Sequence, residues 1–99
     1  MPNTNDEIVI FATARALPGK EADLAKALRD VATPTLTPPG CLGFTLYRTD
    51  DGSTILAFER WASKADHQGH IHGEHVRRLM EKFDGILAGA PVITEMRSL

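Results

Sequence analysis

The chain carries one cysteine, Cys41, among 99 residues. A lone cysteine excludes an intramolecular disulfide and a zinc site built from several thiolates. Basic charge is not in excess: eleven Lys and Arg stand against thirteen Asp and Glu, a net charge of −2. That balance leaves no electrostatic footprint for nucleic acid. No apolar run approaches the roughly 20 residues that a membrane span needs. The opening stretch, Met1 to Glu7, is polar, with neither the basic nor the apolar region of a signal peptide. A cytoplasmic protein without membrane or nucleic-acid partners is the expectation. Aromatic residues make up only 6%, with Trp61 and Tyr47 the single members of their kinds. Internal repeats and low-complexity tracts are lacking, and the scattered glycines form no phosphate-binding loop.

What is present fits one domain spanning residues 1–99, with 1–6 expected as a disordered tail. A chain of this size buries only about 60–65% of its unfolded surface, so a second subunit would help it considerably. Residues 7–16 read as a strand, opening on the apolar run Ile8-Val9-Ile10-Phe11 and closed by the Pro18-Gly19 turn. Glu21 to Ala32 reads as a helix, with Leu24, Leu28 and Val31 on one stripe and Glu21 and Asp23 near its positive end. Pro34, Pro38 and Pro39 predict an extended connection over 33–40. A hairpin follows: strands over 41–49 and 54–61 are joined by Asp50-Asp51-Gly52-Ser53, the strongest turn signal in the chain. Ser63 with Asp66 reads as a capping box opening a short helix that Gly69 and Gly73 interrupt. A longer helix is expected over Glu74 to Phe83, with Val76, Leu79, Met80 and Phe83 on its apolar face. Gly85 and Gly89 stop it, and a final strand fits residues 91–97.

The order β-α-β-β-α-β predicts an α+β, ferredoxin-like fold with the helices layered on one side of an antiparallel sheet. The other face would present Val9, Phe11, Leu56 and Phe58, an apolar patch too large for a comfortable monomer. A homodimer with two sheets packed face to face is therefore expected.

Chemistry concentrates in Phe58-Glu59-Arg60-Trp61 and the histidines that follow, above all His70 and His75. Strand alternation puts Trp61, Glu59, Ala57 and Ile55 on one face, with Arg60 pointing the other way. Small Ala57 and Ala12 leave room beside the large Trp61. His70 and His75 are the candidate catalytic bases, since an imidazole with an ordinary pKa near 6.5 suits proton transfer at working pH. The bland alternative is that each merely satisfies a backbone carbonyl or Glu59. Trp61, Tyr47, Glu59 and Ala57 are the candidate substrate wall. Tyr47 and Phe44 lie on opposite faces of their strand, so at most one of them lines a pocket. His67, His70, His72 and His75 fall within nine residues. On one continuous helix His72 and His75 come within about 60° of each other with His70 well away from them, so no metal site is assigned. Cys41 has no local base and reads as a small core residue. Arg77 and Arg78 read as solvated helix face.

Pro18-Gly19-Lys20, Pro39-Gly40-Cys41-Leu42-Gly43, Glu59-x-Trp61, His70 and His75, in this order on a β-α-β-β-α-β chain, resemble the antibiotic biosynthesis monooxygenase family, from about Ile8 to about Met96. The resemblance implies a dimeric α+β barrel with a pocket between helices and sheet in each subunit. Members include cofactor-independent oxygenases of quinols and polyphenols, haem-degrading enzymes and a sugar-phosphate isomerase. The haem-degrading pattern of Asn, Trp and His falls here on Ala12, His70 and Met80, and departs at all three. The resemblance therefore implies a monooxygenase that uses no cofactor and acts with molecular oxygen on a small aromatic quinol or polyphenol. The alternatives are a non-catalytic small-molecule-binding dimer, or an isomerase of a small metabolite.

Overall fold

A computed structural model describes residues 6–99. Apart from exposed Asp6, the tail expected over residues 1–6 lies outside the described residues. The elements run β1 (Ile8–Arg15), α1 (Glu21–Leu36), β2 (Cys41–Arg48), β3 (Thr54–Trp61), α2 (Lys64–Ile71), α3 (Glu74–Phe83) and β4 (Val92–Met96). The strands form one antiparallel sheet in the order β2-β3-β1-β4, with the helices on one face. This is the α+β, ferredoxin-like arrangement.

Strand alternation divides the residues between the two faces. On β1, Ile8, Ile10 and Ala14 are buried under the helices, and on β3 Ile55, Ala57, Glu59 and Trp61 are buried on the same side. Val9 and Phe11 of β1, and Leu56 and Phe58 of β3, lie on the other face and are half-buried. Phe11 and Phe58 sit opposite each other in the ladder, their rings 5.1 Å apart. The core splits into two clusters. One packs Leu24, Leu28 and Val31 of α1 on Ala14 and Ile55; the other packs Ile8, Ile10 and Trp61 together. The space between these clusters becomes the cavity described below.

Two helix boundaries differ from expectation. α1 does not stop at Ala32 but continues through Pro34 to Leu36. A proline inside a helix removes a backbone donor and costs about 3 kcal/mol. Here the last turn is held by burial of Thr35, whose hydroxyl donates to the Val31 carbonyl at 2.7 Å, and by the same bond from Thr37 to Thr33 at 2.9 Å. The extended connection shrinks to the few residues around Pro38-Pro39. Gly69 does not interrupt α2 either; the break falls at His72–Gly73. One helical glycine costs only about 1 kcal/mol, and on either side of it His67 and His70 pack on Trp61.

The turn signals behave as their chemistry requires. Gly52 takes φ +78°, where a side chain would be strained. The Asp51 carboxylate accepts from the Ser53 amide and from the Thr49 and Ser53 hydroxyls, which holds its pKa down to about 2. Ser63 caps α2, accepting from the Asp66 amide at 3.1 Å while its hydroxyl donates back to the Asp66 carboxylate at 2.8 Å. Gly40 is required for space: a Cβ there would lie 2.2 Å from the Asp66 side chain.

Leu24 is fully buried at the centre of the larger cluster. Leu24→Ala is expected to lower unfolding stability by about 3 kcal/mol, read from urea denaturation; a loss below about 1 kcal/mol would show that the helix–sheet contact closes over the gap.

Candidate active site

The cavity follows from the pairing of β1 with β3. Ala12 lies directly opposite Ala57, and neither side chain fills the space above the sheet. Larger residues surround this floor: Ile10 and Ile55 along the strands, Phe44 from β2, and Leu28, Leu79 and Phe83 from the helices. The result is a cavity of about 340 Å³, in the range of small-molecule sites. Among the described residues its lining holds four polar side chains, Thr13, Glu59, His67 and His70, and no lysine or arginine.

Three of these four gather at one end, around Trp61. The indole is almost fully buried, and its Nε1–H donates to Glu59 Oε1 at 3.0 Å. The His70 ring packs on the indole at 4.7 Å between centroids and the His67 ring at 5.8 Å. Both come from α2, three residues apart, on the face that the Ser63 cap turns towards the sheet. His70 Nε2 lies 4.0 Å from Glu59 Oε1, and both side chains are nine-tenths or more buried. On its other side His70 Nδ1 lies 3.1 Å from His75 Nε2. This contact crosses the break between α2 and α3. Gly73 makes it possible through space alone, because its φ of −75° suits any residue. A Cβ at that position would lie 3.1 Å from the His70 carbonyl oxygen and 3.2 Å from His75 Cε1.

Burial dominates the electrostatics. Removal from water pushes the His70 pKa down to about 4, aided by the neighbouring His75 and His67. It pushes His67 down as well, and it pushes the Glu59 carboxyl up, against the opposing bond from Trp61. His70 and Glu59 are therefore not an ion pair at neutral pH, since the imidazole is uncharged. A neutral imidazole with a free lone pair can accept a proton, and a carboxyl biased towards its neutral form can donate a hydrogen bond from its second oxygen. The His67 Nδ1 has no hydrogen-bond partner among the described residues.

Glu59, Ala57 and His70, three of the residues singled out in the sequence, line the cavity. Three others do not. Tyr47 sits opposite Leu56 on the far face of the sheet and is largely exposed; by parity Phe44, opposite Glu59, takes the place in the wall. Trp61 lies behind the wall, covered by the two histidine rings. His75 stands behind His70 and opens on an outer groove between α1 and α3, beside Asp30, Arg78 and Lys82. His67 is the residue that sequence reasoning missed. Its signal was the spacing of His67, His70 and Ile71, which is one face of a helix. Cys41 is half-buried against Ile8, Ile10 and Trp61, where desolvation raises its thiol pKa. Arg60 pairs with Glu7 at 2.7 Å on the far side of the sheet, and Arg77 and Arg78 pair with Glu74 on the exposed face of α3. No group of three or more His, Cys, Asp or Glu side chains among the described residues is arranged to hold a metal ion. No helix among them is long and apolar enough to cross a membrane.

The sequence profile of the antibiotic biosynthesis monooxygenase family matches residues 7–82, from β1 almost to the end of α3. The chain belongs to the antibiotic biosynthesis monooxygenase family. Among similar proteins, one from Mycobacterium tuberculosis named "Putative monooxygenase Rv0793" is 38% identical over 68 residues, covering 64% of this chain and 67% of that protein. Its solved structure superposes with a TM-score of 0.88 at 24% identity over 94% of this chain and 95% of that one. The structure of PA3566 from Pseudomonas aeruginosa superposes with a TM-score of 0.90 at 24% identity, covering 98% of both chains. At such identities the superpositions show a shared fold. An uncharacterized Synechocystis protein, sll1783, is 27% identical over 85% of this chain, which spans 58% of that protein's length. The cavity of this family member therefore lies between a shared sheet and helices, while its lining belongs to the present chain.

The low pKa of His70 sets a pH test. In the unfolded chain His70 takes a proton near pH 6.5, while the folded one refuses it until about 4. Stability therefore falls as pH drops from 6.5 towards 4, because the unfolded state binds the extra proton in that window. Buried Glu59 contributes with the opposite sign. His70→Gln is expected to flatten the His70 part of this slope. Ring-proton NMR should show His70 titrating with a midpoint near 4; a midpoint near 6.5 would contradict the buried neutral imidazole.

Proposed function

We propose that this family member is a homodimeric monooxygenase that oxidises a small aromatic quinol or polyphenol with molecular oxygen, without a cofactor. One observation carries the reading: an uncharged, buried imidazole, His70, stands at the wall of an apolar cavity beside Glu59, with no cation in the lining. Such a site suits a neutral planar ring bearing a hydroxyl. Its described lining offers no cation to a carboxylate or phosphate, which leaves the isomerase of a small metabolite with less support.

The chemistry begins with removal of the phenolic proton by His70 Nε2. The phenolate passes an electron to oxygen far more readily than the phenol does, so the substrate itself supplies the reducing power. The apolar wall of Ile10, Ile55 and Phe44 then keeps water away from the reactive pair. Glu59 holds the ring in place through its hydroxyls and Ala57 leaves room for it, while Trp61 supports both His70 and Glu59 from behind. Sheet-to-sheet dimerisation would cover Val9, Phe11, Leu56 and Phe58, whose exposure in a monomer would be costly.

With a reduced naphthoquinone, protein-dependent oxygen uptake above the autoxidation blank is expected, falling about a hundredfold in His70→Ala. Equal uptake in the two proteins would remove His70 from its role. Thermal stabilisation by the quinol without any uptake would instead favour the non-catalytic binding dimer. Light scattering should give twice the chain mass for the wild type and a smaller mass for Phe58→Glu; a wild-type monomer at micromolar concentration would overturn the dimer.

A further inference from the structure

We propose that His70 and His75 form one proton path, in which His70 takes a phenolic proton at Nε2 from the cavity and passes its own Nδ1 proton to Nε2 of His75, which releases a proton on the outer side of the helices. The proposal rests on the phenol reading of the cavity given above. It makes His75 a positioning residue that works through His70 and never touches the substrate.

The geometry assigns the two ring nitrogens of His70 to different compartments. Nε2 faces Glu59 across 4.0 Å at the cavity wall. Nδ1 faces His75 Nε2 at 3.1 Å, a hydrogen-bond distance that requires one of the two nitrogens to carry the proton. His75 in turn borders the outer groove and is absent from the cavity lining. The path thus runs through the protein wall in two rings. The groups facing it are Glu59 from β3 and His67 from α2 on the inner side, and Asp30 from α1 with Arg78 and Lys82 from α3 on the outer side.

His70 needs such a path, because it is a poor base by itself. Its surroundings oppose a charged ring so strongly that its pKa falls to about 4, well below that of a phenol at about 10. In the relay His70 starts and ends neutral. The phenolic O–H bond breaks and an Nε2–H bond forms on His70. The Nδ1–H bond of His70 breaks and an Nε2–H bond forms on His75. The charge appears on His75, which loses its Nδ1 proton to water in the groove. Passage in the reverse direction returns a proton to the cavity and restores both tautomers. Burial biases Glu59 towards its neutral carboxyl, which disfavours a second negative charge beside the phenolate.

The test uses para-nitrophenol, whose phenolate is visible, so no oxygen chemistry is needed. Binding is followed by quenching of Trp61, the single tryptophan, and ionisation by the absorbance of the bound probe. The wild type is expected to ionise the bound phenol about tenfold more readily than His75→Gln does, while para-nitrotoluene binds both proteins equally. Added imidazole should restore ionisation in His75→Gly. Unchanged ionisation in His75→Gln, with the probe still bound, would overturn the relay and leave the phenol site standing. Failure of the probe to bind the wild type would overturn the phenol reading and the relay with it. Nitrogen NMR of the wild type supplies a check that needs no variant: His70 must carry its proton on Nδ1, and a proton on Nε2 would overturn the path.

Discussion

In the register that sets Ala12 opposite Ala57 and Ile10 opposite Glu59, β1 and β3 turn one carboxylate and two small side chains towards the helices. Everything else in the site depends on that pairing. A slip of β3 by one residue against β1 would bring Phe58 inward and expel Glu59, because successive side chains alternate between faces. The cavity is thus a consequence of strand register: two methyl groups stand where bulky residues would have closed the core. The helices roof this gap without filling it, since Leu28, Leu79 and Phe83 reach its rim from different directions.

Taking polar groups out of water gives the site its character. Glu59 and His70 are both removed from solvent, and each is biased towards its uncharged form. Because the imidazole is uncharged, the two groups at 4.0 Å do not form a buried ion pair, and both stand at the polar end of the cavity. Trp61 makes this tolerable. Its Nε1–H satisfies one oxygen of Glu59, and its ring carries the two histidines. The same residue that anchors the smaller core cluster therefore organises the polar end of the cavity.

The helix break at His72–Gly73 matters as much as the helices. Had α2 and α3 been one continuous helix, the step of about 100° per residue would have set His70 and His75 well apart. The break folds α3 back so that the rings meet, and the missing side chain of Gly73 leaves room for them. A regular helix could have supplied the residues but not the contact.

Much of the architecture was legible in the chain itself. The β-α-β-β-α-β order, the Asp51-Gly52 turn, the Ser63 cap, strand 54–61 and helix 74–83 follow from local signals: alternation, helical periodicity and cap chemistry. That Ile55, Ala57, Glu59 and Trp61 share one face follows from parity alone. Local signals failed where distant packing outweighed them, as at Pro34, which the buried Thr35 turn carries inside α1, and at Gly69, which the histidine contacts with Trp61 keep helical. Which of Phe44 and Tyr47 faces the cavity required the pairing of β2 with β3, because parity separates two faces without saying which is covered. The meeting of His70 with His75, the removal of His75 from the cavity and the arrival of His67 belong to tertiary structure for the same reason. They depend on how two helices bend over a sheet, and contacts between elements are set by the packing of the whole chain, whereas the elements themselves are written in a few consecutive residues.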